Sequence, residues 1–487
     1  MKAVPLLGAC IGLAFCLQAV AADEAVRRPN VLLFVVDDLN TSVGAYGHDL
    51  VQTPNIDRLA ARGVLFERAY AQYPQCNQSR ASFLTGRYPD QTKVLSLKEH
   101  VRDALPGVVT LPQHFRDNGY FTARVGKVFH QGVPTDIGRD GLDDGASWDL
   151  VINPAGVDIR VDEQIVTIAP PGHKPRSFGG RLSWLSLDSE EPHSDELGAE
   201  AAIRILREYH PAQTGQPLFL ALGFYRPHTP YVAPSRFFER YPPSRVELAE
   251  VPAGDRENKP VAALADRPFQ ADMTEIQKRQ AIQGYYAAIS FMDEQLGKVL
   301  DALEESGIAE DTIVVFLSDH GYQLGAHGLW QKRDLFENSV RTPLILAAPG
   351  LLPQGLGTMS LVELVDLYPT LVTLAGLDAP SSPLEGRDLL PVLEGRDPGR
   401  ASALSQSWSA AAWVRPEWRG RDIMGYTIRT DRYRYTEWAR GAEGVELYDY
   451  ETDPLEYQNL AGDSSHAGLQ KRLAELLDQR LRSIGSR

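Results

Sequence analysis

Residues 31–36 read Val-Leu-Leu-Phe-Val-Val, an unbroken run of branched and aromatic side chains that ends in Asp37-Asp38. A strand has two faces, and a run without polar alternation leaves neither of them fit for water. The segment therefore predicts a strand buried on both sides, of the kind found in parallel or mixed sheets covered by helices. Leu218 to Phe224, Thr312 to Leu317 and Leu344 to Ala348 share this character.

Helical patterns lie between these runs. Pro54 to Arg62 opens with proline in the first turn and stops at Gly63. Leu111 to Asn118, Asp195 to Tyr209, Thr274 to Glu305 (with a break allowed for) and Leu361 to Ala375 follow. Strands alternating with helices predict a large α/β domain. The chain of 487 residues is long enough for that domain and an appendage. Leu377 to Arg400, rich in Pro, Gly and Asp, reads as a long connection. Beyond it, Met424 to Trp438 alternates as antiparallel strands do, and Gly468 to Ile484 is a final amphipathic helix. The expected organisation is a leader over 1–22, a catalytic α/β domain over 23–385 and a smaller α+β subdomain over 386–487.

The leader is read from Lys2, the apolar run Leu6 to Leu17 and the small residues Ala19 to Ala22. A basic start, an apolar middle and a small-residue exit make a secretory signal, so an exported protein, periplasmic or extracellular, is expected. Leu7-Gly8-Ala9-Cys10 loosely resembles a lipoprotein box, but little apolar chain precedes it. No later stretch is long enough to span a bilayer. Cys10 and Cys16 would leave with the leader, and Cys76 would remain as the single thiol. An exported chain with one cysteine has no internal disulfide, so Cys76 is either a small buried hydrophobe or a residue kept for chemistry. The 64 acidic and 49 basic residues give a net charge of −15, which argues against a nucleic-acid partner.

Two of the buried runs end in acids. The first ends in Asp37-Asp38, and the third runs into Ser318-Asp319-His320-Gly321. One such pair alone reads as a cap or a turn. Two at matched strand ends point to a hard cation held outside the sheet, because carboxylate oxygens supply charge at short range. His320 leaves room for a divalent ion other than calcium. Cys76 precedes a helix-like run, Asn77-Gln78-Ser79-Arg80-Ala81-Ser82-Phe83-Leu84-Thr85-Gly86. A helix N-terminus favours an anionic nucleophile and a bound oxyanion.

The string from Cys76 to Arg87 resembles the type I sulfatase signature: a cysteine, a short spacer, Ser-Arg and Leu-Thr-Gly. Arg28-Pro29-Asn30 with Asp37-Asp38, Thr53 to Leu59, Gly126-Lys127-Val128-Phe129-His130, Ser318 to Gly321, and Leu447-Tyr448-Asp449 through Pro454 resemble that family's other motifs in order. Within the family the chain is most similar in appearance to iduronate-2-sulfatases, on the segments 126–130, Tyr225 to Pro230, Gly325 to Lys332, and Ile423 to Thr430. The resemblance implies an alkaline-phosphatase-like α/β fold, a large mixed sheet flanked by helices with the smaller C-terminal α+β subdomain.

It also implies a chemistry. Cys76 would be converted to formylglycine by a formylglycine-generating or equivalent maturation enzyme, and a hydroxyl of its hydrate would attack sulfur. One divalent ion, calcium by the family's habit, would be held by Asp37, Asp38, residue 76, Asp319 and His320. Arg80 would hold the hydrate, Lys127 and Lys332 would grip sulfate oxygens, His130 would serve as base, and His228 would meet the ester oxygen with Lys332. One departure stands out: Gln78 occupies a position where the converting machinery favours Pro or Ala.

An acidic chain does not suit a long polyanion track. The charge balance therefore predicts an exo-acting enzyme with a compact basic pocket of Arg80, Lys127, Arg226, Lys332 and Arg333, and the resemblance implies action at a 2-O-sulfated uronate on the non-reducing end of short sulfated oligosaccharides. His327 is expected to be structural, while Tyr322 and Trp330 suit a sugar pocket or the core equally. Two other readings stay open here: a phosphomonoester or phosphodiester hydrolase of the same superfamily, and a sulfated-glycan-binding protein without turnover.

Overall fold

A computed structural model describes residues 28–161, 163–168, 181–267, 272–413, 415–418, 420–421 and 423–486. The expected leader lies outside the described residues. In chain order the main elements are β1 (Asn30–Val36), α1 (Pro54–Arg62), β2 (Val64–Tyr70), α2 (Cys76–Thr85), α3 (Leu111–Asp117), β3 (Phe121–Gly126), β4 (Leu150–Ile152), α4 (Ser194–Glu208), β5 (Leu218–Phe224), α5 (Glu275–Glu305), β6 (Thr312–Ser318), β7 (Arg341–Thr342), β8 (Leu344–Ala347), β9 (Leu356–Glu363), α6 (Leu367–Leu374), β10 (Ala403–Trp408), β11 (Met424–Arg429), β12 (Tyr433–Trp438), β13 (Val445–Asp449) and α7 (Ala467–Ser483).

Nine strands form the main sheet, in the order β7-β2-β8-β6-β1-β5-β3-β4, with β9 paired to β2. The centre, β6-β1-β5-β3, is parallel. β8 runs antiparallel to both β6 and β2, so the sheet is mixed. The residues of β1 divide strictly by parity. Leu32, Phe34 and Val36 enter one core with α1, α4 and α5. Val31, Leu33 and Val35 enter the other with α2, α3 and α6. Both parities are apolar because both faces are covered, and each such side chain contributes roughly 1.5–3 kcal/mol of burial.

α5 is continuous over 31 residues, with no break; the Thr274 hydroxyl accepts from the Gln277 N–H at its start. The helix expected from Leu361 begins later. Residues 361–363 end β9, and Asp366 sits where the strand gives way to α6. That segment is apolar in either conformation, so periodicity alone did not separate them. β2 and β3, which carry Glu67, Arg68 and Arg124 within mostly buried strands, were not expected from the sequence.

The C-terminal region is an antiparallel meander, β10-β11-β12-β13. Leu473, Leu477 and Leu481, spaced four apart on α7, pack over Leu404, Ile428, Tyr435 and Leu447. β10 lies against the main domain, with the Gln406 N–H donating to the Gln72 carbonyl at 2.9 Å.

Candidate active site

β1, β6, β5 and β3 are neighbours and parallel, so their carboxyl ends share one edge of the sheet. Val36 pairs with Ser318, and Gly126 with Gly223. The chain leaves these four ends through Asp37-Asp38, Asp319-His320, Tyr225 to His228, and Lys127. This edge is where an open α/β sheet binds ligands. Gly126 and Gly223 make the close approach there possible. A Cβ on Gly223 would sit 2.0 Å from the Lys127 carbonyl oxygen, and one on Gly126 would sit 2.2 Å from the Gly223 oxygen. Asp38 takes a left-handed φ of 65°, a costly conformation for a side-chain-bearing residue. It is held by its own N–H donating to Asp319 Oδ1 at 3.2 Å and by the Tyr285 hydroxyl donating to its carbonyl at 2.7 Å.

α2 brings Cys76 to the same edge as the first residue of a wholly buried helix. The Cys76 sulfur lies 3.1 Å from Lys332 Nζ, 3.5 Å from His320 Nε2 and 3.8 Å from Asp38 Oδ1. Ligand atoms of Asp37, Asp38, Cys76 and His228 lie within 4.8 Å of one another, as do those of Cys76, Asp319 and His320. All five expected metal-site residues are thus brought together, and all are buried.

Each carboxylate has a cation. Lys127 Nζ donates to Asp37 Oδ2 at 2.6 Å, and Lys332 Nζ donates to Asp38 Oδ1. Arg80 bridges beneath them, to Asp319 Oδ2 at 2.9 Å and Asp37 Oδ1 at 3.2 Å. Burial alone would raise the Asp37 carboxyl. Lys127, His228, Arg80 and Lys332 outweigh it and hold Asp37 well below the usual range. Burial also works against charge on Lys332, but Asp38, Cys76 and Asp37 raise its pKa, so it stays an ammonium. The Cys76 thiol is pushed far up, by burial first and Asp37 second, and is therefore a neutral, weak nucleophile as it stands.

Three histidines differ in what their rings face. His320 Nδ1 is 2.8 Å from the Gly321 carbonyl. A carbonyl only accepts, so Nδ1 carries the proton. Burial lowers the pKa and keeps the ring neutral, and the Nε2 lone pair faces Asp38 Oδ1 at 3.4 Å and Asp319 Oδ1 at 3.6 Å. Lone pairs facing carboxylates repel unless a cation sits among them. This donor set, three carboxylates and one imidazole nitrogen oriented by its other ring atom, fits a divalent cation.

His228 is arranged likewise. Its Nδ1 donates to the Thr229 carbonyl at 2.6 Å, and Nε2 lies 3.7 Å from Asp38 Oδ2. Burial, followed by weaker opposing contributions from Asp38 and Asp37, brings its pKa down to about 4. His130 is also held neutral, first by burial and then by Lys127, and among the described residues its buried Nδ1 has no hydrogen-bond partner.

A cavity of about 420 Å³ opens over this cluster, lined in part by Cys76, Lys127, His130, His228, Lys332 and Arg333. Two members of the expected basic pocket lie elsewhere. Arg80 is fully buried under the carboxylates. Arg226 turns away to pair with Asp158, with its Nε on the Val232 carbonyl at 3.2 Å. Arg267, which does line the cavity, was not expected; a single arginine in sequence reads as a solvated group. Tyr322 packs in the core, stacked on Tyr285 and hydrogen-bonded to Tyr231, and Trp330 is buried in the same core. His327 braces the loop that carries Lys332, with Nδ1 on Asp255 at 3.2 Å and its ring stacked on Phe336. Gln78 is buried, donating to Gln75 Oε1 at 2.8 Å and to the Leu95 carbonyl at 3.0 Å.

Comparison with known proteins adds the family. The sulfatase family model matches residues 29–377, and that of the N-sulphoglucosamine sulphohydrolase C-terminal region matches 325–483. The chain is 34% identical over 544 residues to the iduronate 2-sulfatase of Mus musculus, covering 95% of this chain and 96% of the relative. The solved phosphonate monoester hydrolase of Agrobacterium radiobacter is similar at a TM-score of 0.76 and 25% identity, covering 93% of this chain and 96% of that one. A protein solved in complex with its substrate D-glucosamine-2-N,6-O-disulfate shares the fold at a TM-score of 0.71 and 21% identity, with 94% and 98% covered. The architecture is the alkaline-phosphatase-like one of sulfatases, a large mixed sheet with a smaller antiparallel C-terminal sheet.

Proposed function

This chain belongs to the sulfatase family of sulfuric ester hydrolases, and on that premise we propose that it removes a 2-O-sulfate from a uronate at the non-reducing end of short sulfated saccharides. The observation that carries this reading is the placement of Cys76. It opens a buried helix, sits among three carboxylates and two lysines, and faces a cavity of about 420 Å³. The 34% identity to an iduronate 2-sulfatase supports the sugar.

With calcium or another divalent cation on Asp37, Asp38, Asp319, His320 and residue 76, and with Cys76 converted to formylglycine, the site gains a Lewis acid for sulfate oxygens and a hydroxyl nucleophile. The remaining work falls to the chain's own side chains. Lys127 and Lys332 carry compact charges that neutralise sulfate oxygens. Arg80 fixes Asp37 and Asp319, and through them the floor under residue 76. His130, neutral and with Nδ1 unengaged, accepts a proton from the residue-76 hydroxyl. His228 has its Nδ1 proton committed to Thr229, so its Nε2 is an acceptor, and Lys332 is the better proton donor to the leaving ester oxygen. The elevated thiol of Cys76 speaks for conversion over use of the bare cysteine. Export, directed by residues 1–22, completes the proposal.

The test is sulfate release from two matched saccharides, one with a free 2-O-sulfated uronate at its non-reducing end and one blocked there, beside phosphate and phosphonate esters. Release from the free end alone is expected. Equal release from the blocked saccharide contradicts the exo reading, and faster phosphonate or phosphate cleavage contradicts the substrate class.

A further inference from the structure

The residue just before Cys76 and the residue two places after it are both glutamines, and they bond to each other. Gln78 Nε2 donates to Gln75 Oε1 at 2.8 Å and to the Leu95 carbonyl at 3.0 Å. The carbonyl fixes both amides. It only accepts, so it requires the Gln78 nitrogen, and that nitrogen in turn requires the Gln75 oxygen. Turning Gln78 over would set its oxygen against two others. The arrangement holds although the buried Gln78 Oε1 has no partner of its own among the described residues. The Leu95 carbonyl is itself a fixed point. Asn77 Nδ2 donates to the Ser96 and Glu99 carbonyls at 2.8 and 2.9 Å, which ties that loop to α2.

The consequence falls on the other end of the Gln75 amide. Its nitrogen keeps two protons, and among the described residues nothing accepts them. Gln75 stands at the start of α2, where a side chain commonly caps the free N–H groups of the first turn, but its side chain makes no such cap. The residue is only 6% exposed, and it lines the cavity together with Cys76. A buried donor without a partner costs free energy. At the wall of a cavity, a ligand that brings an acceptor offsets that cost.

The kind of acceptor follows from charge and reach. An amide is neutral and adds little to what Lys127 and Lys332 already supply to a sulfate, so it suits an uncharged oxygen. Gln75 directly precedes the residue that attacks sulfur, which places its amide at the ester's own end of the sugar ring.

We propose that Gln75 donates to the hydroxyl on the ring carbon next to the sulfate ester, and that Gln78 is the positioning residue that turns this donor toward the substrate. This deepens the sulfatase reading and rests on it. It also gives Gln78 a role that Pro or Ala at that position cannot fill, since neither side chain can bond to Gln75.

The experiment compares a 2-O-sulfated uronate with its 3-deoxy analogue, which lacks that hydroxyl. Binding is measured calorimetrically on the Cys76→Ala protein, in which maturation plays no part. Turnover is measured as kcat and KM per molecule of converted residue 76, counted by peptide mass. The parent should favour the hydroxylated sugar by about 3- to 10-fold, in binding and in KM. Gln75→Met should abolish that preference, and so should Gln78→Pro, which the first turn of a helix tolerates. The deoxy analogue and inorganic sulfate report folding, since neither carries the hydroxyl. Equal affinity for the two sugars in the parent overturns the donor, and a preference kept in Gln78→Pro overturns the positioning role. Weaker binding of inorganic sulfate by Gln75→Met would assign the amide to the sulfate and overturn the proposal. Hydroxyl-dependent binding by the Cys76→Ala chain, without sulfate release by the converted parent, would instead overturn the hydrolase reading and leave the glutamine pair standing.

Discussion

Two buried clusters of charge lie in this chain, and they are wired differently. Glu363 and Asp366, near the start of α6, meet Arg400 and Arg480. Each of their four carboxylate oxygens has two polar partners: Glu363 accepts hydrogen bonds from the Leu404 N–H, Tyr88 and Arg480 and pairs with Arg400 Nη1 at 3.1 Å, and Asp366 accepts from the Glu363 and Arg387 N–H groups and from Nε and Nη2 of Arg400. Two acids face two arginines, and no carboxylate oxygen is left without a partner. At the carboxyl edge of the sheet, Asp37, Asp38 and Asp319 face Arg80, Lys127 and Lys332, so the formal charges also balance. Here, however, the Asp38 and Asp319 oxygens face neutral imidazole lone pairs, Asp38 is strained, and a cavity opens above. Buried charge by itself does not mark a site. What marks it is charge left with unused lone pairs beside open space, which a closed arginine cluster does not have.

The contrast can be broken by mutation. Cys76→Ala should lower turnover by about 10⁴-fold or more while leaving thermal unfolding close to that of the parent; residual sulfate release near the parental rate would remove Cys76 from the chemistry. Arg400→Ala should do the reverse. It strands Glu363 and Asp366, which costs about 3–5 kcal/mol of stability, read from urea unfolding, with kcat per folded molecule unchanged. A loss of kcat at full stability would mean that the closed cluster takes part in catalysis.

Lys332→Ala should cost about 10²–10³-fold in kcat. It should also weaken binding of inorganic sulfate, a readout that a purely structural lysine would not change. The smallest effect expected is a pH dependence far from the site. Burial raises Glu446, hydrogen-bonded by Trp438 and Tyr448, from 4.5 to about 7. The folded chain therefore keeps a proton that the unfolded chain has released, so this group's stabilising contribution is present below about pH 4.5 and is lost as pH rises toward 7. Glu446→Gln should flatten the decline in unfolding free energy between pH 4.5 and 7. An unchanged slope would show that Glu446 titrates normally.

The two clusters were not equally legible in the sequence. The open one announces itself because its acids terminate apolar runs: Asp37-Asp38 after Val36 and Asp319-His320 after Ser318 stand out as strand ends, and Cys76 stands at a helix start. The closed one draws Tyr88, Glu363, Asp366, Arg400 and Arg480 from segments up to 392 residues apart, and nothing local distinguishes those residues from solvated ones. The same reason explains the errors at the site. Arg226 lies in a motif and was assigned to the pocket, but Asp158, 68 residues away, draws it off. Arg267 lies in no motif and lines the cavity. Central strands were legible where their residues are uniformly apolar. β2 and β3 were not, because Glu67, Arg68 and Arg124 interrupt them with charges whose partners come only with the fold. Mobilising those partners is a tertiary event, beyond the reach of local pattern.

The account turns on the chemical state of residue 76, since a neutral buried thiol beside Lys332 has no evident route to attack sulfur. The direct measurement is the mass of the proteolytic peptide spanning residue 76, from protein made in its native host. The account predicts a mass with an aldehyde in place of the thiol, formed despite Gln78 two positions on. An unmodified thiol in active protein would contradict it.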